Sequence, residues 1–187
     1  MNRVEIKIGG FGGQGVILAG MIIGRGAALY DGKDSTLTQS FGPEARGGAC
    51  SAQVVVSDER NLYPCVSHPD VLVAMSQPAY DKFIGEVKPG GLVLYETGLV
   101  NPHAEKHPGL RFYGIPAAQF AEEMGRSMVL NIVMTGFFTA LADVVSVDAV
   151  QKAVTDSVPR GTQVLNQEAF NKGYTYGKGL KEGTVQA

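Results

Sequence analysis

Residues 6–20 read Ile6-Lys7-Ile8-Gly9-Gly10-Phe11-Gly12-Gly13-Gln14-Gly15-Val16-Ile17-Leu18-Ala19-Gly20, and this stretch decides the fold. Just upstream, Val4, Ile6 and Ile8 alternate with Arg3, Glu5 and Lys7, the period-two pattern of a short strand. Downstream, Val16, Ile17, Ala19, Gly20, Ile23 and Ala27 recur at helical spacing. The chain therefore opens as strand, glycine turn and helix.

Gly10, Gly12 and Gly15 satisfy a G-x-G-x-x-G spacing in the setting where it has meaning. Glycine permits positive φ and close approach to the backbone, and the following helix points unpaired N–H groups back at the loop. Such a loop suits an anion. A dinucleotide site also needs an acid about 20 residues on, ending the second strand. Asp31 and Asp34 lie near that distance but precede the strand expected at Thr36 to Gln39. The fingerprint is incomplete, so three readings stand: a dinucleotide loop, a tight turn and no more, or a loop that faces another subunit or its ligand.

Working outward, Asp31 to Asp34 is turn composition and Ser35 to Gln39 a short second strand. The next stretch, Ser40-Phe41-Gly42-Pro43-Glu44-Ala45-Arg46-Gly47-Gly48-Ala49-Cys50, joins one acid, one base and a Gly-Gly pair in a loop between apolar strands. Taken alone it is an exposed turn with a weak Glu44 to Arg46 pair. The glycines beside Arg46 point instead to something that approaches the backbone there. Ala52 to Ser57 is β-branched and close enough to its predecessor to run antiparallel, which makes the sheet mixed. Leu62 to Cys65 is expected as a brief return strand, and Val71 to Met75 as a strand covered on both faces.

A helix follows, with Ser76 as N-cap, Pro78 in its first turn and Tyr80, Phe83 and Ile84 turned inward. Leu92 to Tyr95 and Arg111 to Ile115 are the last strands, and Pro116 opens a helix that Gly125 closes. The final third is helical: Met128 to Val145, then Val147 to Ser157 capped by Ser146, then a helix from Gln163 expected to bring Val164, Leu165, Ala169 and Phe170 against the sheet. Its aromatic tail, Lys172 to Leu180, fits a partner surface or a helix packed on its own domain. The alternation of strand and helix is the α/β pattern. The expected fold is a three-layer Rossmann-like domain with a mixed, mostly parallel central sheet flanked by helices, and residues 1–187 suit one domain.

Composition narrows the function classes. Net charge is −2 with no basic block, so no nucleic-acid footprint is expected. The apolar runs at Val16 to Ile23 and Met128 to Ala142 fall short of a membrane span. A strand that begins almost at Met1 leaves no room for a signal peptide, so a cytoplasmic protein is expected. The two cysteines, Cys50 and Cys65, have no close Cys or His partner, cannot ligate an iron–sulfur cluster or zinc between them, and are expected as buried free thiols. His103 and His107 are read as loop histidines, since Pro102 and Pro108 argue against a helix that would align them. No nucleophile has a base beside it. The chain offers a cradle more clearly than a reaction.

The two glycine loops together, Gly9 to Gly15 and Ser40 to Gly48, resemble the gamma subunit of 2-oxoacid:ferredoxin oxidoreductases. The resemblance continues through Pro69-Asp70, Met75-Ser76-Gln77 and Asn131, and so covers nearly the whole chain. The Gly-Pro-Glu-Ala-Arg-Gly-Gly form is more similar to the 2-oxoglutarate enzymes than to the pyruvate enzymes. The resemblance implies a complex that decarboxylates a 2-oxoacid on thiamine diphosphate, passes electrons through iron–sulfur clusters to ferredoxin and forms an acyl-CoA. It implies alpha and beta partner subunits, with a ferredoxin-like delta subunit in some assemblies. Thiamine diphosphate, its magnesium ion and the clusters would sit on the partners, with coenzyme A as co-substrate and this chain inactive alone. Gly10, Gly12, Gly13, Gln14, Gly15, Gly47 and Gly48 would be the cofactor-binding residues, where coenzyme A or the oxoacid reaches the thiamine adduct at the junction with those subunits, with Glu44 and Arg46 as catalytic candidates. Two other classes remain: a free-standing dinucleotide-binding oxidoreductase and a purely scaffolding subunit.

Overall fold

The alternation of Val4, Ile6 and Ile8 becomes strand β1 (Val4–Phe11), and the helical spacing after Gly15 becomes α1 (Val16–Arg25). Both belong to a computed structural model that describes residues 3–41 and 49–185. The chain continues through β2 (Asp34–Phe41), β3 (Ala49–Ser57), β4 (Val71–Ala74), α2 (Gln77–Phe83), β5 (Leu92–Glu96), β6 (Arg111–Ile115) and α3 (Ala117–Glu123). It ends in α4 (Leu130–Ala142), α5 (Val147–Ser157) and α6 (Gln163–Lys181).

The strands form one sheet in the order β2-β3-β1-β4-β5-β6. β1 pairs parallel with β4, β4 with β5 and β5 with β6, whereas β3 is antiparallel to both β1 and β2. The sheet is mixed and mostly parallel as expected, with β3 alone reversed. Parallel strands covered on both faces need no alternation of polar residues, and β4 is buried at all four positions. Val71 and Val73 join the larger core under α1 and α4, while Leu72 joins the smaller core under α2 with Tyr80 and Phe83. Ser76 caps α2 by accepting from the Ala79 N–H, and Ser146 caps α5 through the Ala149 N–H.

Three expectations are corrected. Residues 62–65 form no strand: Arg3 takes the carbonyls of Tyr63 and Cys65 as hydrogen-bond acceptors, at 2.6 and 2.8 Å, and holds the segment as a loop. Cys65 is consequently exposed, while Cys50 is buried. Val164 is 74% exposed. The inward stripe of α6 is Asn166, Ala169, Phe170, Gly173 and Gly177, and it packs on α4, which separates it from most of the sheet. The aromatic tail is bound within the chain, with Tyr176 edge-on to Phe120 at 5.5 Å and Tyr174 stacked on Phe170 at 6.1 Å.

Candidate functional site

Because β3 alone is reversed, the carboxyl ends of the other strands share one rim with the amino end of β3. Phe11 pairs with Ala49 and Phe41 with Cys50, so the anchors of segment 42–48 stand at this rim beside the Gly12 to Gly15 turn. Glu44, Arg46, Gly47 and Gly48 themselves lie outside the described residues.

The turn is built by glycines and by two amide side chains. Gly13 and Gly15 have φ of 99° and 73°, the left-handed region that a side chain rarely adopts. The Gln14 Oε1 accepts from the Phe11 N–H at 2.7 Å, and its Nε2 donates to the Met75 carbonyl at 2.9 Å. A Cβ on Gly10 would collide with that Oε1 and with Val16. Gly10 thus makes room for the Gln14 side chain, and both ends of the Gln14 amide are engaged within the chain. On the other side, the Asn131 Nδ2 of α4 donates to the Gly15 carbonyl at 3.3 Å, and Asn131 is 2% exposed.

What remains open is the crest. Gly12 and Gly13 are exposed, and their N–H groups have no partner among the described residues. α1 has no side-chain cap among the described residues, and the first helical bond across the turn is Ala19 N–H to the Gly15 carbonyl at 3.0 Å, so the Val16, Ile17 and Leu18 N–H groups have no partner among the described residues. The crest opens on a groove of about 500 Å³, within the range that takes a cofactor-sized ligand. Gly13, Gly15 and Leu18 line one side of it, and Arg126, Met128, Asn131 and Asn166 stand among its other lining residues. Arg126 is exposed and has no acidic partner among the described residues. A mostly apolar groove with helix-start N–H groups and an exposed guanidinium suits a ligand with an apolar body and an anionic group.

The dinucleotide reading loses its acid. Asp31 accepts from the Ser146 N–H and Oγ at 2.6 and 2.5 Å, and Asp34 accepts from the Asn61 N–H at 2.9 Å. Asp34 also begins β2, at the rim opposite the glycine turn. Cys50, the cysteine nearest this rim, is no poised nucleophile: it is buried, and desolvation pushes its thiol up, away from the reactive thiolate. Glu96 ends β5 at the rim, 1% exposed, where burial pushes its carboxyl up; one oxygen accepts from the Ala118 N–H at 3.2 Å and the other has no partner among the described residues. Arg126 and Asn166 were invisible in the sequence as site residues. Asn131 gave a signal, an amide inside an apolar helical run, but nothing that said what it would meet.

A mostly parallel sheet whose glycine turn borders a groove is the ligand-binding arrangement of an open α/β fold. The chain belongs to the pyruvate ferredoxin/flavodoxin oxidoreductase family, whose profile matches residues 5–176. It is a subunit of a 2-oxoacid:ferredoxin oxidoreductase. Over 179 residues it is 50% identical to the 2-oxoglutarate synthase subunit KorC of Methanocaldococcus jannaschii, a match that covers 95% of this chain and 96% of that one. Among solved structures it is similar to the gamma subunit of a keto/oxoacid ferredoxin oxidoreductase from Geobacter sulfurreducens, with a TM-score of 0.80 and 38% identity over 95% of this chain and 99% of that one. It is also similar to a 2-oxoglutarate:ferredoxin oxidoreductase from Magnetococcus marinus with 2-oxoglutarate, coenzyme A and succinyl-CoA bound. That TM-score is 0.86 at 27% identity, and the match covers all of this chain but 32% of that longer one.

Proposed function

We propose that this chain is the gamma subunit of a cytoplasmic 2-oxoglutarate:ferredoxin oxidoreductase, with residues 1–187 acting as one domain. Its complex converts 2-oxoglutarate and coenzyme A to succinyl-CoA and carbon dioxide and passes two electrons to ferredoxin. The 50% identity to a 2-oxoglutarate synthase subunit supports this oxoacid over pyruvate. Thiamine diphosphate with its magnesium ion would supply the carbanion chemistry, and iron–sulfur clusters the electron path, on alpha and beta subunits. The residues here do not fit a cluster, since the chain has two cysteines, one buried and one exposed.

The observation that carries the role of this chain is the exposed Gly12 and Gly13 crest, at which Gly13 borders a groove also lined by Arg126, a guanidinium with no acidic partner among the described residues. In this reading the crest N–H groups and the Arg126 guanidinium hold an anionic group of coenzyme A where it enters the junction with the partner subunits. In the same reading Gly47 and Gly48 are further contact residues, and Glu44 and Arg46 remain the catalytic candidates. The test is a complex reconstituted from this chain and its co-purified partners. Arg126→Ala is expected to raise the KM for coenzyme A about tenfold, the loss of one charge-assisted contact, with assembly intact. An unchanged KM would leave this chain a scaffold.

A further inference from the structure

We propose that Gln14 and Asn131 are positioning residues that brace the glycine turn from opposite sides and so fix the direction of the Gly12 and Gly13 N–H groups. The activity readout of this proposal rests on the function proposed above; its second readout rests on the geometry alone.

Gln14 works from the sheet side. By accepting from the Phe11 N–H at 2.7 Å and donating to the Met75 carbonyl at 2.9 Å, it ties the end of β1 to the first residue beyond β4. The Met75 N–H donates to the Gly9 carbonyl at 2.8 Å, which closes the frame. Asn131 works from the helix side, giving its Nδ2 hydrogen to the Gly15 carbonyl at 3.3 Å while its amide fills the space a Gly15 side chain would need.

Asn131 heads a polar stripe inside a buried helix. Thr135 Oγ1 donates to the Asn131 carbonyl at 2.7 Å and Thr139 Oγ1 to the Thr135 carbonyl at 2.8 Å, so both hydroxyls are satisfied within α4. Of the three, Asn131 is the one whose hydrogen bond reaches another element. A buried neutral hydrogen bond adds little net stability over an apolar side chain of the same shape. What it adds here is direction. Gly13 and Gly15 have positive φ and the freest backbones in the turn, and the two braces hold backbone groups at its two ends, the Phe11 N–H and the Gly15 carbonyl. Both braces are uncharged amides, so they hold the crest without titrating.

The test uses Gln14→Glu and Asn131→Asp, near-isosteric changes that turn each donor into an oxygen facing a carbonyl. Thr139→Val, lower on the same stripe, is the control. In the reconstituted complex each brace variant is expected to raise the KM for coenzyme A about tenfold with kcat within about twofold, and the control to change neither. In the isolated, isotope-labelled chain, the Gly12 and Gly13 amides are expected to fall from order parameters of about 0.85 to below about 0.6 in the brace variants. Gln14→Ala serves as a second variant if α4 rejects a buried carboxylate. A crest that stays ordered in the variants overturns the proposal, whatever the KM does, as does a loosened crest with an unchanged KM in an active complex. A loosened crest in a chain whose wild-type form adds nothing to the complex upholds the brace and overturns the proposed function instead.

Discussion

Gly15 meets two requirements at once. Its φ of 73° disfavours any side chain, and the Asn131 amide occupies the place of a Cβ. Gly15→Ala is therefore expected to cost about 3 kcal/mol, the sum of left-handed strain and a steric clash, read from the urea midpoint. Adding Asn131→Ala removes the obstruction and leaves the strain, so the double variant is expected to lie closer to Asn131→Ala than the single costs would sum to. Additive costs would show that the two residues do not meet. Glu96 gives a pH-dependent prediction. Burial pushes its carboxyl up, so the native state keeps a proton that the unfolded chain has already released. The native state then binds more protons, and its stability falls as pH rises from the ordinary carboxylate value through the raised native one. Glu96→Gln cannot titrate and is expected to lack this fall; stability against pH for the two proteins should diverge in that window, and parallel curves would refute the shift.

At the scale of elements, α4 is the piece that sequence reading located but could not place. Its residues 130–140 are buried on every side, between the sheet and α6. The two helices approach so closely that a Cβ on Gly173 would overlap the Val133 carbonyl, and one on Gly136 the Phe170 carbonyl. Gly173→Ala must push these backbones apart, so it is expected to cost about 2 to 3 kcal/mol by chemical unfolding, while Gly85→Ala, with open space around it, serves as the control. Local signals had been reliable elsewhere: Ser76 and Ser146 cap the helices their sequences announced, because a cap depends on residues three positions away. Val164 was misjudged for the opposite reason. Whether it is buried depends on α4 lying between α6 and the sheet, which no window of α6 contains. Residues 62–65 likewise became a loop through Arg3, some 60 positions earlier in the chain.

The whole molecule repeats this contrast between what is local and what is assembled. The glycine turn was legible because strand, turn and helix are consecutive. The antiparallel run of β3 was legible too, from the short connection before it, and it sets Ala49 and Phe41 at the same rim as Phe11. The groove was not legible, for it joins Gly15 to Asn131 across 116 positions and brings in Arg126 from the segment after α3 and Asn166 from α6. What the assembled molecule lacks is equally informative. Cys50 is buried on β3 and Cys65 exposed on the loop that Arg3 holds, and a four-cysteine cluster cannot be built from two. If electrons and carbanion chemistry belong to partner subunits, the chain expressed alone has nothing with which to react. Purified by itself under anaerobic conditions, it is expected to contain no stoichiometric iron and to show no 2-oxoglutarate-dependent ferredoxin reduction, with both present when the partners are added. Turnover by the isolated chain would place reaction chemistry on residues that the rim and its groove do not supply, and would require the division of labour among the subunits to be redrawn.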